Sequence, residues 1–349
     1  MSNRKDEHLN LANNLYQTQP NAFDDCHFVH HSLNGCSPAD VDLSSQLGPW
    51  QLATPFYINA MTGGSYETGK INQQLSLIAK ETGLLMATGS LSAALKDATL
   101  KETFQIVRKE NPQGLILANV GAGIPYSQAQ QAVEMLQADG LQIHLNLPQE
   151  LVMPEGDRHF DSWQNNIAEI TAKLNVPVMV KEVGFGMSRE TILKLADLGV
   201  KIIDVSGQGG TSFTAIENSR RSQQEFTYLN DWGQSTVVSL LEAQSLPLAE
   251  NISFAASGGI RNAFDIFKCL CLGARAVGIS GTILHSLMTT GTTATIALIQ
   301  QWQKELQTLY ALVGAKNWQE LQQTQLIFSG YTKDWCEARG IDLRGYGLR

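Results

Sequence analysis

His144-Leu145-Asn146-Leu147-Pro148-Gln149-Glu150 gathers an imidazole, two amides and a carboxylate at the end of an apolar run. Alternation along an extended strand puts His144 and Asn146 on one face. Such a set could position a polar substrate and move protons, with His144, Asn146 and Gln149 as the candidate catalytic groups. Glu150 could ligate Mg2+, a hard ion that takes few protein carboxylates and completes its shell with water and phosphate oxygens. The same residues would also suit an ordinary hydrogen-bonded loop. A lone carboxylate holds Mg2+ only when the substrate brings oxygens of its own.

Other groups with chemical potential lie in glycine-rich stretches. Ala256-Ser257-Gly258-Gly259-Ile260-Arg261 and Gly278-Ile279-Ser280-Gly281 both follow apolar runs. Two neighbouring turns with exposed backbone N–H groups, one opening a helix, suit a phosphate better than either would alone. In Asp204-Val205-Ser206-Gly207-Gln208-Gly209-Gly210-Thr211, Ser206 and Thr211 could bond a flavin ribityl chain or phosphate, or merely decorate a solvated loop. Lys181 ends an apolar run, where burying an ammonium is costly without an acceptor. A flavin ring edge that becomes anionic on reduction would serve, and so would a salt bridge to Glu182. Asn59-Ala60-Met61-Thr62-Gly63-Gly64 offers small residues against which a flat ring could lie. Ser90 and Asn119 are polar residues at further strand ends. Arg4, Lys5 and His8 are either a solvated tail or an arm that holds an anion over the site.

Positioning these groups requires a scaffold. Short apolar runs at 55–60, 84–88, 114–119, 141–145, 177–181, 202–205, 252–256 and 274–279 read as eight strands. Amphipathic stretches at 67–83, 127–140, 161–174, 188–198, 230–244 and 262–272 read as helices between them. Gly83, Gly140, Gly199 and Gly273 precede the next strand and suggest left-handed helix ends. The alternation implies a parallel sheet, and eight strands favour a closed (β/α)8 TIM barrel over an open doubly wound sheet. The polar motifs then fall at the C-terminal strand ends, where barrels carry their chemistry. We expect one domain over 1–349: an N-terminal arm (1–50) covering the barrel floor or mouth, the barrel (51–285), and a C-terminal helical extension (286–349) with an amphipathic helix at 295–313. The polar interval 207–230, with Arg220 and Arg221, reads as a mobile lid.

Composition narrows the class. The 349 residues are 43% hydrophobic and 17% charged, which is globular composition. A formal net charge of −8 argues against a nucleic-acid partner. No run of eighteen apolar residues suggests a membrane span. Five cysteines without zinc spacing, and a polar start rather than a leader, point to the cytoplasm.

Taken in chain order, Arg4-Lys5 with His8, Ala60 to Gly64, Gly89-Ser90, Ala118 to Gly121, His144 to Glu150, Pro154 to Arg158, Lys181 to Gly186, Gly209 to Thr211 and Ser257 to Arg261 resemble the type 2 isopentenyl-diphosphate isomerases. The match spans nearly the whole chain. The glycine motifs would fit many FMN barrels; the His-x-Asn-x-x-Gln-Glu and Lys-Glu-Val-Gly stretches with the N-terminal Arg-Lys are more specific. The resemblance implies interconversion of isopentenyl and dimethylallyl diphosphate with reduced FMN and Mg2+, NADPH supplying electrons to the flavin. It implies that Ala60, Met61, Thr62, Ser90, Asn119, Lys181, Ser206 and Thr211 hold the flavin, and Gly258, Gly259, Ser280 and Gly281 its phosphate. Arg4, Lys5 and His8 would grip the diphosphate, Gln149 would face the substrate and Glu150 would bind Mg2+. A homo-oligomer, tetramer or octamer, is implied as well. Many members carry a basic residue where this chain has Ser92, and His144 or Lys181 could compensate.

An allylic carbon is a feeble acid and an alkene a feeble base, so reduced flavin is the expected acid/base while the protein positions it and excludes water. Two other readings remain: an FMN-dependent 2-hydroxy-acid oxidase, which would need a base and an Arg clamp for a carboxylate, and a non-catalytic flavin-binding protein.

Overall fold

The computed structural model describes residues 4–16, 19–248 and 252–349, and of Arg4 the backbone alone. Eight parallel strands close into a barrel: β1 (Phe56–Ile58), β2 (Met86–Ala87), β3 (Ile116–Gly121), β4 (Gly140–Leu145), β5 (Val178–Glu182), β6 (Ile202–Asp204), β7 (Ser253–Ser257) and β8 (Ala276–Ile279). β8 pairs with β1, so the open sheet is excluded. All eight strands lie within two residues of their expected bounds.

The intervening helices follow their local signals. Tyr66–Thr82 is opened by the Ser65 side chain and closed by left-handed Gly83. Ser188 caps Arg189–Asp197, and Asn262 caps Ala263–Cys271. Gly199 and Gly273 take positive φ as expected. Gly140 does not. Helix Tyr126–Leu136 closes on Gln137, left-handed at φ 49°, and Gly140 opens β4 instead. A Cβ there would lie 2.3 Å from the Trp50 ring, so that glycine serves close approach rather than a turn. The helix expected from 230 begins only at Thr236, capped by Ser235, because Gly233 at φ 114° breaks any helix before it.

The barrel lumen is graded in polarity. At its floor Tyr57, Leu85, Leu117, Met179 and Ile202 pack with Leu47, Trp50 and Leu52. The last three come from an antiparallel hairpin, Ser45–Leu47 with Trp50–Leu52, so part of the N-terminal region plugs the floor. Above it Asn59, Asn119, Gln142, Asp204 and Ser257 are buried. Such a layer is tolerable because these side chains bond one another.

The rest of the N-terminal region reaches the mouth. Helix Arg4–Asn14 lies there, and Asp6 accepts a hydrogen bond from Ser65 at 2.5 Å. Strand Cys26–Phe28 pairs with Leu326–Phe328 and ties the two terminal regions together. The interval 207–230 is not an extended loop; it carries helix Phe213–Ser219 and a 3-10 turn at Thr227–Leu229. The C-terminal helix starts at Gly281 and runs to Val313, breaking at Gly291. It is long and apolar enough to cross a membrane by length and composition, but Ile283, Leu287, Ile299, Trp302, Leu306 and Tyr310 are buried within the protein.

Candidate functional site

A cavity of about 740 Å³ opens at the C-terminal strand ends. Every residue singled out for the site borders it except Arg4, whose side chain lies outside the described residues. Three glycine turns form one wall. Gly258 has φ +94°, and a Cβ there would lie 1.9 Å from the Gly207 carbonyl oxygen. Gly259 has φ +74°, and a Cβ there would lie 3.0 Å from the Gly209 backbone. Thr236 Oγ1 donates to the carbonyls of Ser257 and Gly258 at 2.7 Å, and Asn21 Nδ2 donates to that of Gly259 at 2.9 Å. Ser280 precedes the Gly281–Val313 helix without capping it, so the helix N–H groups remain available to an anion.

Ser206 adopts φ 33°, an unusual conformation for a residue with a side chain. Its carbonyl accepts from the N–H groups of both Gly184 and Gly186 at 3.0 Å, which fixes the β5 turn to the β6 turn. On the opposite wall Gly89 lies against the backbone of Thr62, where a Cβ would be 2.6 Å from the Thr62 oxygen. Ala60, Met61, Thr62, Ser90 and Thr211 border the space between.

Lys181 is buried at the base of the cavity, and Nζ donates to the Glu182 backbone carbonyl at 2.6 Å. The salt bridge to the Glu182 carboxylate does not form. Adjacent strand residues face opposite ways, and that carboxylate instead accepts from the Val183 and Phe185 N–H groups. Burial lowers the Lys181 pKa, with Asp204 and Glu182 opposing.

His144 Nδ1 lies within hydrogen-bond distance of Asn119 Oδ1, at 2.8 Å. Enclosure in the barrel, with the Lys181 and Lys5 ammoniums, lowers its pKa to about 3. It is therefore neutral near pH 7 and does not replace the cation that Ser92 lacks. Nor does Lys181, which sits at the base of the cavity. Ser92 bonds Ser90 at 2.9 Å. One turn further, Lys96 borders the cavity, and it has no ion pair among the described residues.

Gln149 and His8 are held by a residue that sequence reading missed. Glu217, fully buried on helix Phe213–Ser219, accepts from Gln149 Nε2 at 2.9 Å and Arg220 Nη1 at 2.6 Å, and lies 3.1 Å from His8 Nε2. Burial alone would raise its pKa; His8, Gln149 and Arg220 outweigh burial and lower it. Arg220 also pairs with Glu155 at 2.6 Å and Glu7 at 3.5 Å, joining the expected lid to the N-terminal helix. Asn146 Nδ2 donates to Glu150 Oε1 at 2.7 Å, and the Asp157 N–H donates to Glu150 Oε2 at 2.8 Å. Among the described residues no group of three or more His, Cys, Asp or Glu could hold a metal. Arg261 borders the cavity but is bonded to Asp24 and Asp265, so it is not free to act as a carboxylate clamp beside His144.

Comparison with known proteins is consistent with this geometry. A family model for FMN-dependent dehydrogenases matches residues 125–328. Solved structures of flavocytochrome b2 with sulfite bound (18% identity, TM-score 0.64, 90% of this chain, 81% of that one) and of a mandelate oxidase variant (13%, TM-score 0.62, 93% and 92%) share the fold. An isopentenyl-diphosphate delta-isomerase from Latilactobacillus sakei is 52% identical over 98% of this chain and 97% of its own. One from Staphylococcus saprophyticus is 46% identical over 98% of each. By this full-length similarity, on the barrel of the FMN-dependent dehydrogenases, the chain belongs to the isopentenyl-diphosphate delta-isomerase family.

Proposed function

We propose that the cavity binds FMN along the glycine-turn wall and a prenyl diphosphate beneath the N-terminal helix, and interconverts isopentenyl and dimethylallyl diphosphate. The observation that carries this reading is one cavity bordered by both the glycine turns at 207–210, 258–259 and 278–281 and the His144, Asn146, Gln149 and Glu150 set. The fit to FMN rests on the backbone: any Cβ at Gly258 would fill the turn. The phosphate would meet N–H groups at Gly258, Gly259 and Gly281 with the Ser280 hydroxyl. Ala60, Met61 and Thr62 would face the ring, Ser90, Asn119, Ser206 and Thr211 would bond its polar edges and chain, and Lys181 would neutralise its anionic edge. When bound and reduced, with NADPH as electron source, FMN would supply a proton-exchanging position beside the alkene. The protein's part is to orient the prenyl tail and exclude water.

Gln149 is held from behind by Glu217 and turns its carbonyl oxygen toward Asn146 and the cavity. Arg4, Lys5 and His8 would meet the diphosphate, and Lys96 would join them at the rim. Lys96→Met should raise KM for the diphosphate about 3- to 10-fold with kcat unchanged, as suits an ion pair open to solvent. The gap should narrow at high salt. Steady-state kinetics at two ionic strengths would read this; an unchanged KM at low salt would remove Lys96 from the site.

Glu150 fits an Mg2+ site only jointly with substrate. Its two oxygens each accept one N–H and keep a further lone pair, and diphosphate oxygens would complete the shell. Glu150→Gln should shift half-maximal Mg2+ upward by about 10-fold or more while FMN stays bound. Activity with the wild-type Mg2+ dependence would assign the ion elsewhere.

Five free cysteines suit a reducing cytoplasm, and we propose a homo-oligomer, tetramer or octamer, measurable by light scattering. The direct test of function is anaerobic incubation with isopentenyl diphosphate, FMN, NADPH and Mg2+, beside a parallel assay with 2-hydroxy acids. Dimethylallyl diphosphate formed only with reduced flavin supports the proposal; oxidation of a hydroxy acid without isomerisation would replace it.

A further inference from the structure

The buried layer beneath the cavity is one chain of hydrogen bonds whose direction is set from its far end. Asp204, fully buried on β6, accepts from Tyr57 OH at 3.1 Å, Asn59 Nδ2 at 3.0 Å, Ser257 Oγ at 2.9 Å and the Ser206 N–H at 3.1 Å. A carboxylate only accepts, so Asn59 must turn its amide nitrogen toward Asp204. The Ala60 N–H, a fixed donor 2.8 Å from Asn59 Oδ1, enforces the same orientation. Asn59 Oδ1 then faces Gln142, which must donate through Nε2 at 3.0 Å. Gln142 Oε1 is left to accept from Asn119 Nδ2 at 3.2 Å. Asn119 Oδ1 therefore faces His144, and Nδ1 of His144 must carry the proton. No amide in the series can reverse without opposing two donors or two acceptors.

We propose that Asp204 is a positioning residue which, through Asn59, Gln142 and Asn119, holds neutral His144 as its Nδ1-protonated tautomer and so presents Nε2 to the cavity as a hydrogen-bond acceptor. This rests on reading the cavity as the isomerase site. Nε2 makes no hydrogen bond among the described residues, and Gly121 opposite it has no side chain, where a Cβ would lie 3.3 Å away. The ligand atom it meets must therefore be a donor, or bring a proton. If Nε2 takes that proton, the Nδ1–H is already bonded and the new charge faces a chain that ends on a carboxylate. The low pKa of His144 accords with the neutral form.

The test is 15N NMR of the FMN-loaded protein labelled only at histidine, with the His144 signals identified by their loss in His144→Gln. The expected spectrum shows a protonated Nδ1 and an unprotonated Nε2 near neutral pH. A proton on Nε2 in the wild type would overturn the proposal without any variant being needed. Asp204→Asn removes the pure acceptor four hydrogen bonds away, leaves the Ala60 N–H as the remaining director of Asn59, and should let the Nε2-protonated tautomer appear as a minor signal. Asp204→Asn that remains folded and FMN-bound with the wild-type spectrum would remove Asp204 from the role. If Asp204→Asn does not fold, Asn119→Leu cuts the final link and should release the tautomer in the same way; an unchanged spectrum there would overturn the chain. None of these readouts depends on turnover, so failure of the isomerase assay would be seen separately.

Discussion

Glu217→Gln should lower kcat about 100-fold while FMN affinity is unchanged, the scale expected when a reacting group is held out of place. Glu217 does not border the cavity; it acts on Gln149 and His8 from behind. Its carboxylate accepts from Gln149 Nε2 and fixes which end of that amide faces the substrate. A glutamine at 217 has a donor end as well, so the Gln149 amide can reverse, and His8 and Arg220 lose their shared anion. Because Arg4 and Lys5 would still meet the diphosphate when His8 shifts, KM should move much less than kcat. FMN titration and circular dichroism would show that the flavin wall and the fold remain. A kcat within about threefold of wild type would place Gln149 and His8 outside the reaction.

Lys181→Met should weaken the hold on reduced FMN roughly 10- to 100-fold relative to oxidised FMN, the value of a charge-assisted hydrogen bond out of water. Among the described residues Lys181 Nζ bonds the Glu182 carbonyl, and its ammonium sits in a site that burial makes unfavourable for charge. An anion arriving there is stabilised by the ammonium and offsets the burial that disfavours its charge. The loss should appear as a flavin reduction midpoint shifted toward harder reduction and as a kcat about 10²- to 10³-fold lower. Equal affinity for both oxidation states would contradict the assigned contact. Methionine matches the length and apolar stem of lysine, so packing beneath the cavity should persist.

Local chemistry made the scaffold legible in the sequence. Strand runs, serine and asparagine caps, and left-handed glycines at 83, 199 and 273 each report on themselves. Gly140 misled because the same residue serves two physical needs, and only the distant Trp50 decides between them. Lys181 and Glu182 look like a pair in the sequence, yet strand alternation separates their side chains. The glycine-turn wall was visible as motifs because glycine turns announce backbone proximity. Glu217 was not visible: its partners come from residues 8, 149 and 220, and nothing in its neighbours marks it. Asp204 was in plain view within a glycine-rich stretch, but its meaning depends on Asn59, Gln142 and Asn119 from three other segments. Lys96 became apparent only once the helix after β2 set it one turn beyond Ser92.

The most direct test of the central claim is isomerisation in heavy water under anaerobic conditions, with FMN reduced before isopentenyl diphosphate is added. The expected product is dimethylallyl diphosphate carrying deuterium, detected by NMR, with the reduced flavin spectrum the same before and after many turnovers. Product without deuterium, or one flavin oxidised for each substrate converted, would contradict a proton-transfer isomerase and indicate redox chemistry instead.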